Sequence, residues 1–245
     1  MHKVWIEAAL NGPWSRRRQP GIPDTVDSIV AEGIDCAAAG ACIIHVHAYD
    51  GGGPQTFDWQ VYARIIEGIR AKVDVPVYPS IPTAGIGVGP LPAEAAGRFA
   101  HVEALAARGL LEFAAIDPGS VNFTERAIGR DTSAAPTYLN PESHIRHALA
   151  FAIRYGFHPA YAIYEPGFTR SGAALARAMG TRSVAIGRGL AAIESGVGTL
   201  ISFSTQPGNV ALDGAGRNSP FAGALVKQLT TSTDDLNAIL ITVRN

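Results

Sequence analysis

Cysteine is scarce in this chain of 245 residues: there are two, Cys36 and Cys42. Two are too few for a disulfide framework, and their spacing is not that of a zinc site. Both read as small buried residues, one on a helix and one on a strand. Charge of one sign is equally lacking, with a net charge of −1 and 17 % charged residues. That balance argues against nucleic acid or an anionic membrane as the main partner. There is no charged start followed by an apolar stretch, and so no expected signal peptide. No uninterrupted apolar run is long enough to span a bilayer. The expectation is a cytoplasmic protein that acts on small molecules. Hydrophobic residues make up 47 % of the chain, enough for a large buried core and too many for disorder. The single basic cluster, Arg16-Arg17-Arg18, reads as a solvated loop or as an anchor for phosphate or CoA.

What is present alternates. Short apolar strands are expected at residues 4–9, 42–47, 75–80, 112–117 and 160–165. Helices are expected between them at 25–39, 57–71, 92–108, 140–155 and 172–179. Asp24 is the expected cap of the first, Pro92 opens the third, and Asn140 with Pro141 opens the fourth. Such alternation implies parallel βαβ units and an α/β fold. Five units precede residue 181, and the 65 residues that follow are too few to complete a (β/α)8 barrel at the same pace. Composition also shifts there, because residues 181–245 contain no histidine, cysteine or tryptophan. This places a boundary near residue 180. After it come a strand candidate at 199–204, two turn-rich stretches, and helix candidates at 220–229 and 234–243.

The strongest chemical signal is His45-Val46-His47 at the end of an apolar strand. Side chains two apart on a strand share a face, and in a parallel barrel the C-terminal strand ends build the active-site face. Two imidazoles placed there suit a divalent metal. The alternative is one hydrogen-bonded core histidine and one facing solvent. Acidic residues end or follow other strands: Glu7 on the first, Asp50 in the loop after the pair, Asp117 at the end of the fourth and Glu165 at the end of the fifth. One of them can ligate a metal or orient the histidines, and another can act as general base. Asp50 before a glycine run, or Glu165 before Pro166, can equally serve a turn or a loop cap. Two loops fit a substrate mouth. Ser80, Thr83 and the Gly85 backbone can hold a carboxylate or an oxyanion, and Ser120 and Asn122 can bind a carboxylate or carbonyl oxygen.

Four segments together carry a resemblance: Glu7-Ala8-Ala9-Leu10-Asn11-Gly12; Gly40-Ala41-Cys42-Ile43-Ile44-His45-Val46-His47; Thr83-Ala84-Gly85; and Asp117-Pro118-Gly119-Ser120-Val121-Asn122-Phe123. In this order and spacing they resemble the β-keto acid cleavage enzymes of the 3-keto-5-aminohexanoate type, over about residues 3–180. The resemblance implies a zinc-dependent TIM-type (β/α) barrel that converts a β-keto acid and acetyl-CoA into acetoacetate and a new CoA thioester. It implies zinc on His45 and His47, Glu7 as the acidic residue near the metal, substrate contacts from the Thr83 and Ser120 loops, and a homo-oligomer. The chain departs from the family in lacking a late-strand segment with a glutamate ligand, the aspartate base after it and a nearby arginine. The third ligand is then sought in Glu7, Asp117 or Glu165.

The remainder, 182–245, is similar to the C-terminal part of a caspase-like peptidase domain. Thr199-Leu200-Ile201-Ser202-Phe203-Ser204-Thr205-Gln206-Pro207-Gly208 and Asp213-Gly214-Ala215-Gly216-Arg217-Asn218-Ser219-Pro220-Phe221 carry that likeness. With neither cysteine nor histidine, this part cannot form a Cys–His dyad. The expectation is an incomplete barrel at 1–180 with an appended α/β segment at 181–245. The alternatives are an impaired fusion that only binds metal or a partner and, last, a caspase-like cysteine peptidase.

Overall fold

A computed structural model describes residues 6–13, 21–49, 51, 53–83, 91–122, 137–181 and 184–187. Its first strand, β1, is Glu7–Ala9. Helix α1 follows at Val26–Ala38. Strand β2 is Ile43–Val46, and a short hairpin of β3 (Ala48–Tyr49) and β4 (Gln55–Thr56) stands beyond it. Then come α2 (Trp59–Arg70), β5 (Val77–Pro79), α3 (Ala95–Ala106) and β6 (Phe113–Ala115). A second hairpin pairs β7 (Val121–Asn122) with β8 (Thr137–Tyr138). The described part ends with α4 (Glu142–Tyr155), β9 (His158–Ile163), α5 (Pro166–Met179) and β10 (Val184–Gly187).

The six longer strands form two three-stranded sheets, each paired in parallel. β2 lies between β1 and β5, and β9 lies between β6 and β10. β5 and β6 are neighbours, so the strands follow one another around an arc in chain order. The helices neighbour one another in the same order, α1 on α2, α2 on α3, α3 on α4 and α4 on α5. Single winding of this kind puts every crossover on one face. Among the described residues, no strand joins β10 back to β1, and the arc is open.

Alternation along the strands sorts the core into two layers. Ile44, Val46, Val77, Ala114 and Ile116 belong to the large cluster shared with the helices, with Ile65, Ile66, Ile69, Phe99 and Leu149. Ile43, Tyr78, Phe113 and Ala160 form a separate cluster on the other face of the strands.

Several element boundaries differ from expectation. Thr25, not Asp24, caps α1: its hydroxyl accepts from the Ser28 amide at 3.1 Å, and Ser28 Oγ accepts from the Thr25 amide at 3.0 Å. Ser28 thus completes a reciprocal cap normally read from a glutamate or glutamine. α3 starts at Ala95, past Pro92. Pro141 stands at the N-cap of α4 with no side-chain cap bond, because the Asn140 carboxamide is engaged elsewhere. α5 starts at Pro166, six residues before the expected Gly172. The expected strand at 160–165 lies instead at His158–Ile163, and Glu165 becomes the N-cap position of α5. β10, at Val184–Gly187, pairs with β9 from Val184↔Ala160 to Gly187↔Ile163. The expected elements at 199–204, 220–229 and 234–243 lie outside the described residues, as do Asp50, Gly85 and Arg16-Arg17-Arg18.

Candidate active site

Parallel register aligns the first acids and the histidines. Glu7 stands opposite Ile43, Ala9 opposite His45, and His45 opposite Tyr78. His45 is buried, and its ring lies 4.7 Å from that of Tyr78. The Tyr78 hydroxyl donates to Glu7 Oε2 at 2.8 Å. Three adjacent strands therefore place a carboxylate, a phenol and an imidazole together. The ring of His47 stands edge-on to that of His45 with centroids 5.2 Å apart and an interplanar angle of 81°. The two expected imidazoles do converge.

The segment after β1 holds this arrangement. Leu10 N–H donates to the His45 carbonyl at 3.1 Å, extending the β1–β2 ladder by one bond. The Asn11 carboxamide then accepts from the His47 amide at 2.7 Å and donates to the His47 carbonyl at 2.9 Å. Its other N–H reaches the Pro23 carbonyl at 3.0 Å. The Tyr49 hydroxyl donates to the Gly12 carbonyl, and burial pushes that phenol up to about 12.

Asp117 lies one strand group away and is also buried. It accepts from the Tyr138 hydroxyl and, at 3.0 Å, from the Ala162 amide. Burial raises the Tyr138 phenol, and the Asp117 charge adds to the rise. Arg98 of α3 is almost fully buried beside this group, with 1 % exposure. It donates to the Pro82 carbonyl at 3.0 Å and to Asn140 Oδ1 at 2.6 Å. Burial lowers its pKa, against the pull of Tyr138 and Asp117. Asn140 in turn donates from its amide to Ser120 Oγ at 2.8 Å and from its carboxamide to the Gly119 carbonyl at 2.7 Å. The loops after β5 and β6 are thereby tied to one buried cation.

The expected substrate-binding residues occupy different settings. Ser80 is buried: its hydroxyl accepts from Gln55 at 2.9 Å and bonds Tyr62 at 2.9 Å. Its carbonyl meets His101 Nε2 at 2.8 Å. Thr83 is half-buried, while Ser120 and Asn122 are exposed, with Asn122 Oδ1 accepting from Thr137 at 2.8 Å across the β7–β8 hairpin. Glu165 is exposed at the start of α5, its carboxylate folded over Gly167, and stands apart from the histidine pair's own strand group.

For a metal, the donor chemistry fits in part. His45 and His47 bring two nitrogen donors together, and Glu7 reaches the same face through Tyr78. Among the described residues, no group of three His, Cys, Asp or Glu side chains gathers around one point. The pair brings two nitrogen donors side by side, and among the described residues no third His, Cys, Asp or Glu joins them.

Asn11, Tyr78 and Arg98 were not singled out from the sequence. Tyr78 could have been found by strand parity, since it stands on the face that His45 shares. Asn11 sits in a segment already notable for its order, but nothing local assigns it a partner 36 positions away. Arg98 carries no sequence signal, because a basic residue on an amphipathic helix reads as solvated.

A family model described as beta-keto acid cleavage enzyme matches residues 3–201. A second model, described as caspase domain, matches residues 165–245, so the two overlap over 165–201. The 3-keto-5-aminohexanoate cleavage enzyme of Fusobacterium nucleatum subsp. nucleatum is 30 % identical over 170 residues, which are 68 % of this chain and 55 % of that protein. The chain thus spans about half the length of this curated relative. Among solved structures, 3-dehydroquinate dehydratase from Geobacillus kaustophilus is 13 % identical with a TM-score of 0.43, over 95 % of this chain and 93 % of that one. The apo form of ObcA is 16 % identical with a TM-score of 0.44, over 65 % of this chain and 34 % of that one.

Proposed function

This chain belongs to the beta-keto acid cleavage enzyme family, and from that premise we propose that it cleaves a β-keto acid in a zinc- and acetyl-CoA-dependent reaction giving acetoacetate and a CoA thioester. The observation that carries the reading is the convergence of His45 and His47, 5.2 Å apart, on the face that also holds Glu7 and Tyr78. Bound to the two imidazoles, zinc would serve as a Lewis acid toward the keto oxygen.

The chain's own residues have separable parts in this proposal. Glu7 is linked to the pair by way of Tyr78, whose ring lies against His45 and whose phenol donates to one of its oxygens. That bond fixes the carboxylate's direction and makes Glu7 the first candidate to accept or return a proton. Asp117, gripped by Tyr138 and the Ala162 amide, is the second, and Glu165 the third. Thr83, Gly85, Ser120 and Asn122 are proposed to meet the substrate's carboxylate or carbonyl oxygens. Ser80 is proposed to shape the same wall from its buried bonds to Tyr62 and Gln55. The open arc is read as part of a TIM-type barrel over 1–180, with 181–245 as an appended segment. Acetyl-CoA and the β-keto acid are the proposed partners of a cytoplasmic homo-oligomer. No helix among the described residues is long and apolar enough to cross a membrane.

A second reading is an impaired fusion that retains metal or partner binding without turnover. It is favoured by the meeting of two family models in one chain and by the lack of a third metal donor beside the pair among the described residues. Metal analysis of the purified full chain, run beside an acetyl-CoA-dependent assay of β-keto acid loss, separates the two. Stoichiometric zinc with turnover, both abolished in the His45→Ala/His47→Ala double variant, is the expected result. Zinc without turnover leaves the second reading standing, and neither zinc nor turnover defeats the enzyme. A caspase-type activity probe is expected not to react, because residues 181–245 hold no cysteine or histidine.

A further inference from the structure

We propose that Asn11 is the positioning residue of the histidine pair: its carboxamide takes the place of a strand partner for His47 and fixes the backbone that aims the second imidazole. β1 ends at Ala9, and its ladder to β2 runs out with the Leu10 bond to the His45 carbonyl. On the other side of β2, the Ser80 amide is the next donor, to the Val46 carbonyl at 2.9 Å. Past this point the chain at His47 has left the regular strand. An Asn side chain carries one acceptor and two donors, arranged like a peptide group. Here all three are used. The carbonyl oxygen takes the His47 N–H, one N–H goes to the His47 carbonyl, and the other goes to the Pro23 carbonyl. The first two bonds seize both polar groups of one residue, as a neighbouring strand would. The third ties the clamp to the segment leading into α1.

The consequence is directional. A residue's χ1 swings about a Cα–Cβ bond whose orientation the backbone sets, so pinning N–H and C=O together pins the origin of the His47 side chain. His45 needs no such device, being inside the ladder with register partners on both sides, Ala9 and Tyr78. The clamp therefore acts on the member of the pair that the sheet does not hold. The site of action is the zinc site proposed above, so the claim about metal affinity rests on that reading. The claim about ring placement does not.

The test uses the full chain and Asn11→Asp. The aspartate has nearly the same shape but only acceptors, so it faces the His47 and Pro23 carbonyls with no hydrogen to give. Asn11→Ser, which adds no charge and keeps one hydroxyl donor, is the second variant should the first not fold. In metal-free protein, nuclear Overhauser contacts between the His45 and His47 rings are measured alongside the Tyr62–His101 ring pair, whose centroids are 5.5 Å apart and which serves as internal control. The expected result is loss of the His45–His47 contact and of amide-exchange protection at His47, with the control pair retained. In a zinc titration against a chromophoric chelator, zinc affinity is expected to fall by about 10-fold or more, the scale for losing an outer partner of a metal ligand. Retention of the ring contact and of His47 protection in both variants overturns the proposal. Wild-type protein that binds no zinc overturns the metal reading alone, and the ring contact still decides the role of Asn11.

Discussion

At the scale of single residues, polar groups inside this protein are placed by partners far away in the chain. His101 is the clearest titrating case. It is 3 % exposed, stacked on Tyr62 with centroids 5.5 Å apart and bonded to the Ser80 carbonyl at 2.8 Å. Burial holds its imidazole down to about 4, against the small opposing effect of that carbonyl. The folded chain therefore keeps the ring neutral where the unfolded chain begins to protonate it, near pH 6.5. The stabilisation is fully present above that pH and is lost as the pH falls toward 4, by about 3 kcal/mol on the scale of the shift. Urea melts between pH 4 and 7 are expected to show that slope, and His101→Gln, which keeps a donor for Ser80, is expected to flatten it. An equal slope in the variant would assign the acid sensitivity to other groups. Ser80 reads from the sequence as a residue of the substrate mouth because of the loop it opens. What the sequence does not carry is that Gln55, Tyr62 and His101 converge on it, because those contacts join three separate elements.

Elements are where local chemistry speaks most plainly. α1 and α2 have amphipathic spacing and side-chain caps at Thr25 and Asp58, and both were expected to within two residues at each end. One error sits where a distant group competes for a local one. Asn140 was the expected cap of α4, yet Arg98 and the Gly119 carbonyl hold its side chain. The contact between α1 and α2 makes a further demand. A Cβ on Gly33 would lie 2.6 Å from Ile69 Cδ1, and one on Gly68 would lie 2.8 Å from Val30 Cγ2. Each helix thus offers a glycine to an aliphatic side chain of the other, and the two backbones approach closely. Gly33→Val is expected to destabilise by about 2 kcal/mol through overpacking against the buried Ile69, read as a lower denaturant midpoint at unchanged slope. A neutral result would mean that the helix pair has room to separate.

At the scale of the whole molecule, the arc of six strands sets a gradient of protection. β9 is central in its sheet, with β6 on one side and β10 on the other, whereas β1 lies at the end of the arc among the described residues. Exchange by local opening scales with how many packed neighbours must part. Amides of β9 are expected to exchange more slowly than those of β1 under native conditions. Faster exchange in β9 would show that β10 does not hold its edge. That strand falls at residues 184–187, within the 165–201 overlap of the two family models.

Read alone, the sequence determined the α/β alternation, the parallel order and the two histidines on one strand face, because each of these is written in spacing over a few residues, while the family came from a resemblance carried by four segments in order. Tertiary structure decided which acid the Tyr78 phenol holds, which loops are tied to a buried arginine, and which side chain completes the ladder at His47. Those choices depend on register between strands about 30 or more positions apart, such as His45 with Tyr78. Hydrogen-bond geometry is satisfied or lost over a few tenths of an ångström, a distance that no local pattern encodes.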